Sequence, residues 1–315
     1  MESCREFVPP HSLKTPVLFL IFNRLDTTQQ VFEAIRKTKP SRFYVAGDGP
    51  RENKPGEAER VQIVREYVMS KIDWECEVKT LFREKNLGCG KAVSSAITWF
   101  FENEERGIIL EDDCLPSQSF FWFCEELLER YKDDERVWHI GGCNFQNGIK
   151  RGEASYYFSI FNHIWGWASW KSRWDKYDFE LKFVESDHFL EYIFFKKRDL
   201  KYWENIFKRI NNGELNTWDY QWTFTMWFYK KLAILPNVNL ISNIGFSADA
   251  AHTTDADNKL SNMTKYEVKK IVHPWEIVRD IQADEYTQIK VFLPHSVYVR
   301  GIRKLRRLWH ALSVV

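Results

Sequence analysis

From Val17 to about Gly142 the chain alternates short apolar runs with amphipathic stretches, and this alternation constrains its fold more than any other feature. The runs fall at Val17 to Phe22, Arg42 to Ala46, Glu77 to Phe82, Gly107 to Leu110 and Val137 to Ile140. Between them, Thr27 to Lys37 puts Val31, Ala34 and Ile35 on one helical face. Ala92, Val93, Ala96, Ile97 and Phe100 repeat that spacing, and Phe120 to Tyr131 follows Pro116 and Ser117, which suit a helix start. Strands alternating with helices predict successive βαβ units and an α/β, Rossmann-like fold with a mostly parallel sheet. The first apolar run, Pro16 to Phe22, is about a third of the ~20 residues that a membrane span requires, so it reads as a strand.

After Gly142 the sequence becomes aromatic and less regular, with Tyr156-Tyr157-Phe158 and then His163 to Trp170. Helices are expected at about Ser186 to Phe195, Leu200 to Asn211 and Asp219 to Lys230, then a strand pair around Ile234 and Val238 to Ser242. No repeat or low-complexity linker separates the halves, which predicts one domain over 15–255 with two lobes, 15–142 and 143–255. The remainder, 256–315, is expected to form a helical extension. There Tyr298, Ile302, Leu305, Trp309 and Leu312 share a stripe, with Arg300, Arg303, Lys304, Arg306 and Arg307 around the rest. Such a basic amphipathic helix suits an anionic membrane surface, or docks its stripe on the domain.

A formal charge of +1 over 315 residues argues against nucleic acid as a whole-chain partner. The six cysteines include no CxxC pair and follow no recognisable secretory leader, so free thiols in a reducing, cytoplasmic compartment are expected. Aromatic residues make up 16% of the chain, more than a routine core uses; flat rings suit sugars and bases, although extra packing accounts for most of them.

In an open parallel sheet, ligands bind beyond the carboxyl ends of the strands. Four polar clusters are predicted on that edge: Asn23-Arg24, Gly47-Asp48-Gly49, Arg83 to Asn86, and Glu111-Asp112-Asp113. Three successive carboxylates leaving a buried strand repel one another unless a cation or hydrogen-bond donors compensate. Mg2+ or Mn2+, with one or two protein carboxylates and a shell completed by water and phosphate oxygens, is an economical solution. A solvated, helix-capping turn is the alternative.

Asp48 between two glycines can accept a base N–H, or form an ordinary Asp-Gly turn. Arg24 offers charge for phosphate or a plane for a base. The loop Asn86 to Lys91 precedes a helix, so its backbone N–H groups and Lys91 are candidate anion donors, without the spacing of a P-loop. Asp219, in Trp218-Asp219-Tyr220-Gln221-Trp222, is either a helix N-cap or a general base among rings. His252, in the small-residue loop Ser247 to Thr253, is either structural or reaches a metal or diphosphate.

These residues resemble the GT-A glycosyltransferases, and within them the inverting β-1,2-N-acetylglucosaminyltransferase I family and its bacterial relatives, over roughly 15–255. The order matches: Asn23-Arg24, Asp48, the acidic triplet, Gly166-Trp167, Trp218-Asp219, then Ser242. The resemblance implies a GT-A fold, a nucleotide-sugar donor and a glycan or lipid-linked acceptor. It implies nucleotide contacts from Arg24, Asp48 and Asp112, with Ser242 holding the diphosphate lid; Asn23, Lys91, Glu111 and Trp167 are further candidate nucleotide or substrate contacts. By the resemblance Asp113 would be a metal ligand and Asp219 the base; His252 is a second candidate metal ligand from its own loop. The chain departs from the family in reading Phe22-Asn23-Arg24 where Cys-Asp-Arg is usual, and its Asn-Leu-Gly loop is closer to bacterial family 2 transferases. Two rivals are a sugar-phosphate nucleotidyltransferase, a class that usually opens with a glycine-rich loop, and a non-catalytic membrane-surface module.

Overall fold

The computed structural model describes residues 7–182, 189–246 and 260–293. The strands are β1 (Val17–Ile21), β2 (Arg42–Gly47), β3 (Glu77–Phe82), β4 (Arg106–Glu111), β5 (Cys114–Pro116), β6 (Val137–Gly141), β7 (Tyr156–Ser159), β8 (Trp167–Trp170), β9 (Leu232–Pro236) and β10 (Ile241–Asn243). The helices are α1 (Leu25–Arg36), α2 (Glu57–Ser70), α3 (Cys89–Asn103), α4 (Gln118–Arg130), α5 (Lys171–Trp174), α6 (Phe189–Ile193), α7 (Lys197–Asn211), α8 (Asp219–Phe228) and α9 (Ile281–Thr287). A π-helical turn, Gln288–Phe292, follows α9.

Eight strands form one sheet in the order β3-β2-β1-β4-β8-β6-β9-β7. The first four are parallel neighbours, β6 and β9 are parallel to each other, and β8 and β7 run antiparallel to theirs. This is the α/β architecture expected, a large and mostly parallel sheet with helices packed on it. β1 is buried along its whole length because it lies between β2 and β4, and its run Val-Leu-Phe-Leu-Ile has no polar residue to expose.

The second half differs from expectation. Trp167–Trp170 is a strand that inserts between β4 and β6, although it sits within the irregular aromatic stretch. Ile234 and Ser242 are not paired strands: β9 joins the main sheet between β6 and β7, whereas β10 pairs with β5 in a separate two-stranded ribbon. That ribbon fastens the chain after the acidic triplet to residues 241–243.

Most of the aromatic surplus is core. Trp138, Trp167, Trp174, Trp218 and Trp222 bury one another beneath the sheet, and Trp203, Trp227 and Phe224 centre a second cluster. Among the described residues no helix is long and apolar enough to cross a membrane. The basic stretch after Tyr298, the start of the helix predicted from Ser186, and the loop bearing His252 lie outside the described residues.

Candidate functional site

The carboxyl ends of β1, β2 and β4 open into a cleft of about 1850 Å3. Asn23, Arg24, Asp48, Glu111, Asp112, Asp113 and Asp219 all line it, so residues from both halves of the chain meet there. Glu111 is the last residue of β4, and Asp112 and Asp113 form the turn to β5. Asp112 is buried; its Oδ2 accepts from the Phe22 N–H at 3.3 Å, which ties the triplet to the end of β1.

The Arg24 guanidinium binds both aspartates, at 2.5 Å from Asp112 and 3.0 Å from Asp113. Burial opposes its charge, but Asp112 and Asp113 outweigh that and raise its pKa. Arg24 nevertheless pairs with only two of the neighbouring carboxylates, Asp112 and Asp113. Glu111 is pushed up to about 8 by burial and by Asp113, Asp112 and Asp219. Asp112 is raised to about 6 by burial, with Arg24 opposing. The same field acts on the half-buried Cys89 thiol, which burial, Glu111 and Asp219 push up to about 12, so it stays neutral.

Asp219 opens α8, and Trp218, not Asp219, is the N-cap residue. Its carboxylate accepts from the Thr217 hydroxyl. Several contacts hold that turn. Trp218 stacks on Trp167 at 5.7 Å, Tyr177 donates to the Trp218 carbonyl at 3.1 Å, and Gly90 N–H donates to Asn216 at 2.9 Å. A Cβ on Gly90 would press on Asn216 and Thr217, so the close approach of α3 to this turn requires glycine.

Other predicted residues have different employment. Trp167 is 1% exposed and lies between His139 and Trp218, so it has no face left for a substrate and instead supports the Asp219 turn. Asp48 lines the cleft, but its two oxygens accept from Gly49, Asn86, Leu87 and Gly88 at 2.9–3.1 Å. A carboxylate has about four acceptor positions, so none is left over for a base. The same bonds take the backbone N–H groups of Leu87 and Gly88, the donors predicted for an anion.

Lys91 is exposed and does not line the cleft, because Gly90 is the residue of α3 that faces the 216–217 turn. Ser242 is buried in β10 opposite Leu115; the cleft is lined by its neighbour Asn243 and by Gly245 and Phe246. A Cβ on Gly245 would collide with the Asp113 carboxylate and the Arg24 guanidinium, so only glycine lets this segment lie over the ion pair.

Two contributors escaped sequence reading. Glu57, fully buried at the start of α2, accepts from Asn23 at 2.9 Å and from the Arg51 backbone and guanidinium at 2.5–3.1 Å. Arg51 lowers its pKa. Asn216 is the other. Glu57 follows Pro55-Gly56, a helix-start signal that could have marked it; nothing in the sequence marks Asn216.

Among the described residues no three His, Cys, Asp or Glu side chains come together as a metal cage. Mg2+ and Mn2+ commonly take one or two protein carboxylates and complete their shell from water and phosphate oxygens. Asp113, partly exposed, and the under-neutralised Glu111 suit Mg2+ or Mn2+ held in that way.

No protein-family model and no curated protein matches the chain. Among solved structures it is similar to a mannosyltransferase from Pyrobaculum calidifontis in complex with GDP-Man and Mn2+, with 14% identity and a TM-score of 0.32 over 52% of this chain. The chain spans about half, 46%, of that protein. It is also similar to a UDP-glucose pyrophosphorylase (10% identity, TM-score 0.36, 73% of this chain and 93% of that one). A putative glucose-1-phosphate thymidylyltransferase from Bacillus anthracis has 6% identity and a TM-score of 0.38 over 81% of this chain and 98% of its own.

Proposed function

We infer that this cleft transfers a sugar from a nucleoside-diphosphate sugar, a UDP-sugar being the favoured donor, to a hydroxyl of a glycan or lipid-linked acceptor, with inversion. The observation that carries this reading is the presence of Asp219 and the under-neutralised Glu111, Asp112 and Asp113 in one cleft. At about 1850 Å3 the cleft exceeds the ~300–1,000 Å3 of a single small-molecule site, which leaves room for donor and acceptor together.

In this reading 15–142 holds the donor and 143–255 the acceptor, with Trp165, Tyr220 and Phe246 as the ring surfaces in the cleft. Asp219 takes the acceptor proton as the new bond to the sugar carbon forms. The bond from that carbon to the diphosphate oxygen breaks, and its electron pair leaves with the nucleoside diphosphate. Arg24 and Arg83 stand in the cleft as fixed positive charge for that leaving group. When bound, Mn2+ or Mg2+ on Asp113 supplies Lewis-acid neutralisation of the diphosphate. Burial and the neighbouring Asp113, Asp112 and Asp219 favour the protonated form of Glu111, and a cation held there would oppose them.

The test is turnover of a panel of UDP-, GDP- and dTDP-sugars with Mn2+ or with chelator, with Asp113→Ala as control. UDP-N-acetylglucosamine comes first because of the family resemblance. Metal-dependent release of nucleoside diphosphate that Asp113→Ala loses is the expected outcome; failure to bind or turn over any donor would sink the proposal. Release of pyrophosphate from a nucleoside triphosphate and a sugar phosphate would point instead to a nucleotidyltransferase. The turn Asn23-Arg24-Leu25-Asp26 has no glycine for that class's loop.

A further inference from the structure

After β10 and the undescribed 247–259, residues 264–280 cross the molecule as a strap without regular structure except an isolated bridge at Arg279. At one end Lys265 donates to the Pro116 carbonyl at 3.1 Å, and Glu267 accepts from the N–H groups of Gln118 and Ser119 at the start of α4. Further along, His273 pairs with Glu126 at 3.1 Å and with the Tyr156 hydroxyl at 2.9 Å, and Trp275 lies beside Arg130 at the end of α4. The strap therefore runs the length of that helix.

Its side chains alternate with a period of three. Val268, Ile271 and Ile277 pack against the main core. Val272, Trp275 and Val278, and then Ile281 as the first residue of α9, face outward and are 48%, 97%, 62% and 61% exposed. A three-residue period is that of an extended, polyproline-like strand, in which every third side chain shares a side. The inward row closes the core; the outward row does nothing for it. Exposing a nearly bare tryptophan in line with three aliphatic residues needs another explanation.

We propose that this outward row is a membrane-surface contact that inserts Trp275, Val278 and Ile281 among the headgroups of an anionic bilayer. Charge complementarity favours that occupant. Beside Trp275 a hollow of about 410 Å3 is lined by Glu276 and by the exposed Arg130 and Arg136, of which Arg136 pairs with Asp134 and Arg130 lies over the Tyr131 ring. Lys269 and Lys270, also exposed, precede Val272. Residues 294–315, which follow the described part of the chain, carry five Lys and Arg and no Asp or Glu. Tryptophan is the side chain that settles at the headgroup level, and basic residues around an apolar row draw it to anionic lipid. A second copy fits less well, since stable protein interfaces use about 20–30 residues a side and this row has four.

The proposal is independent of the chemistry assigned to the cleft. Its test is co-sedimentation of the full chain with vesicles of phosphatidylglycerol and phosphatidylcholine in equal amounts, against phosphatidylcholine alone, with hydroxyl-radical footprinting of Trp275. Wild type should bind the anionic vesicles preferentially, and Trp275, freely oxidised without lipid, should be protected by them. Trp275→Ala with Val278→Ser should lower partitioning about tenfold, with thermal stability and donor turnover in solution unchanged. The proposal fails if the double variant binds as wild type, if neutral vesicles bind equally, if nothing binds, or if Trp275 is protected without lipid, as a second copy or residues 294–315 lying over it would require. Loss of donor turnover in wild type would condemn the cleft assignment and leave this result standing.

Discussion

Two sets of carboxylates share one cleft and behave in opposite ways. Asp48 and Glu57, at the β2 end, are each surrounded by donors: loop N–H groups and Asn86 for Asp48, Asn23 and Arg51 for Glu57. Asp112 and Asp113, at the β4 end, share one guanidinium, and Glu111 beside them rises to about 8. A carboxylate whose acceptor positions are all filled is scaffold, because any ligand must first displace a bond it already has. One held near another charge without enough donors retains the capacity to bind a cation. Position on the binding edge alone does not separate the two; local donors do.

The largest effect should come from removing the proton acceptor. Asp219→Asn is expected to slow sugar transfer by roughly 10²–10⁴-fold while donor affinity, followed by calorimetry, stays within a few-fold of wild type. Equal loss of donor binding would place Asp219 with the nucleotide and break the division of roles. Trp167→Ala, which empties a buried site under the Asp219 turn, should cost roughly 3–5 kcal/mol in denaturant unfolding. The milder Trp167→Phe should lower kcat more than it raises donor KM. Direct loss of donor binding in that variant would restore Trp167 to a substrate contact.

Glu57→Gln tests the scaffold side of the comparison. It weakens the bonds from Arg51 and Asn23 and should cost roughly 1–3 kcal/mol, with the same cost in Mn2+ and in chelator. A cost that depended on Mn2+ would move Glu57 into the cation-binding set.

The smallest effect is one of sign. Glu111 has a folded pKa raised from the ordinary carboxylate range to about 8, so the native state binds the extra proton and stability falls as pH rises from about 4.5 through about 8. Glu111→Gln should therefore melt higher than wild type at about pH 9 in chelator, the gap closing by about pH 5 and narrowing when Mn2+ is added. His139 and His163 set the opposite limit. Burial pushes both down to about 3, so the stability that they confer as neutral rings is lost as pH falls below about 6.5. A Glu111→Gln variant that melted like wild type at every pH would remove the under-neutralised set from the comparison.

Much of this molecule follows from periodicity alone. A run such as Val17 to Ile21 has nowhere to go but a buried parallel strand, and an acidic triplet after Gly107 to Leu110 falls at the carboxyl end of its strand because the chain reverses there. Periodicity hid Trp167–Trp170, since a strand buried on both faces among aromatics has no polar alternation to reveal it. It also hid α2, where the buried residue at the helix start is a glutamate and Ile63 and Met69 are exposed. What no local pattern could decide was the use of each polar group. Asp48 and Asp113 look alike in sequence, and only the fold brought the 86–88 loop to the first and left the second facing Arg24, Gly245 and open cleft. The apolar strap is the same lesson in reverse: Val272, Trp275 and Val278 are as apolar as Val268, Ile271 and Ile277, and only docking on α4 decided which of the two rows was buried. Local sequence sets what a residue prefers; tertiary structure sets which partners are within reach, and hydrogen bonds and ion pairs act over only a few ångströms.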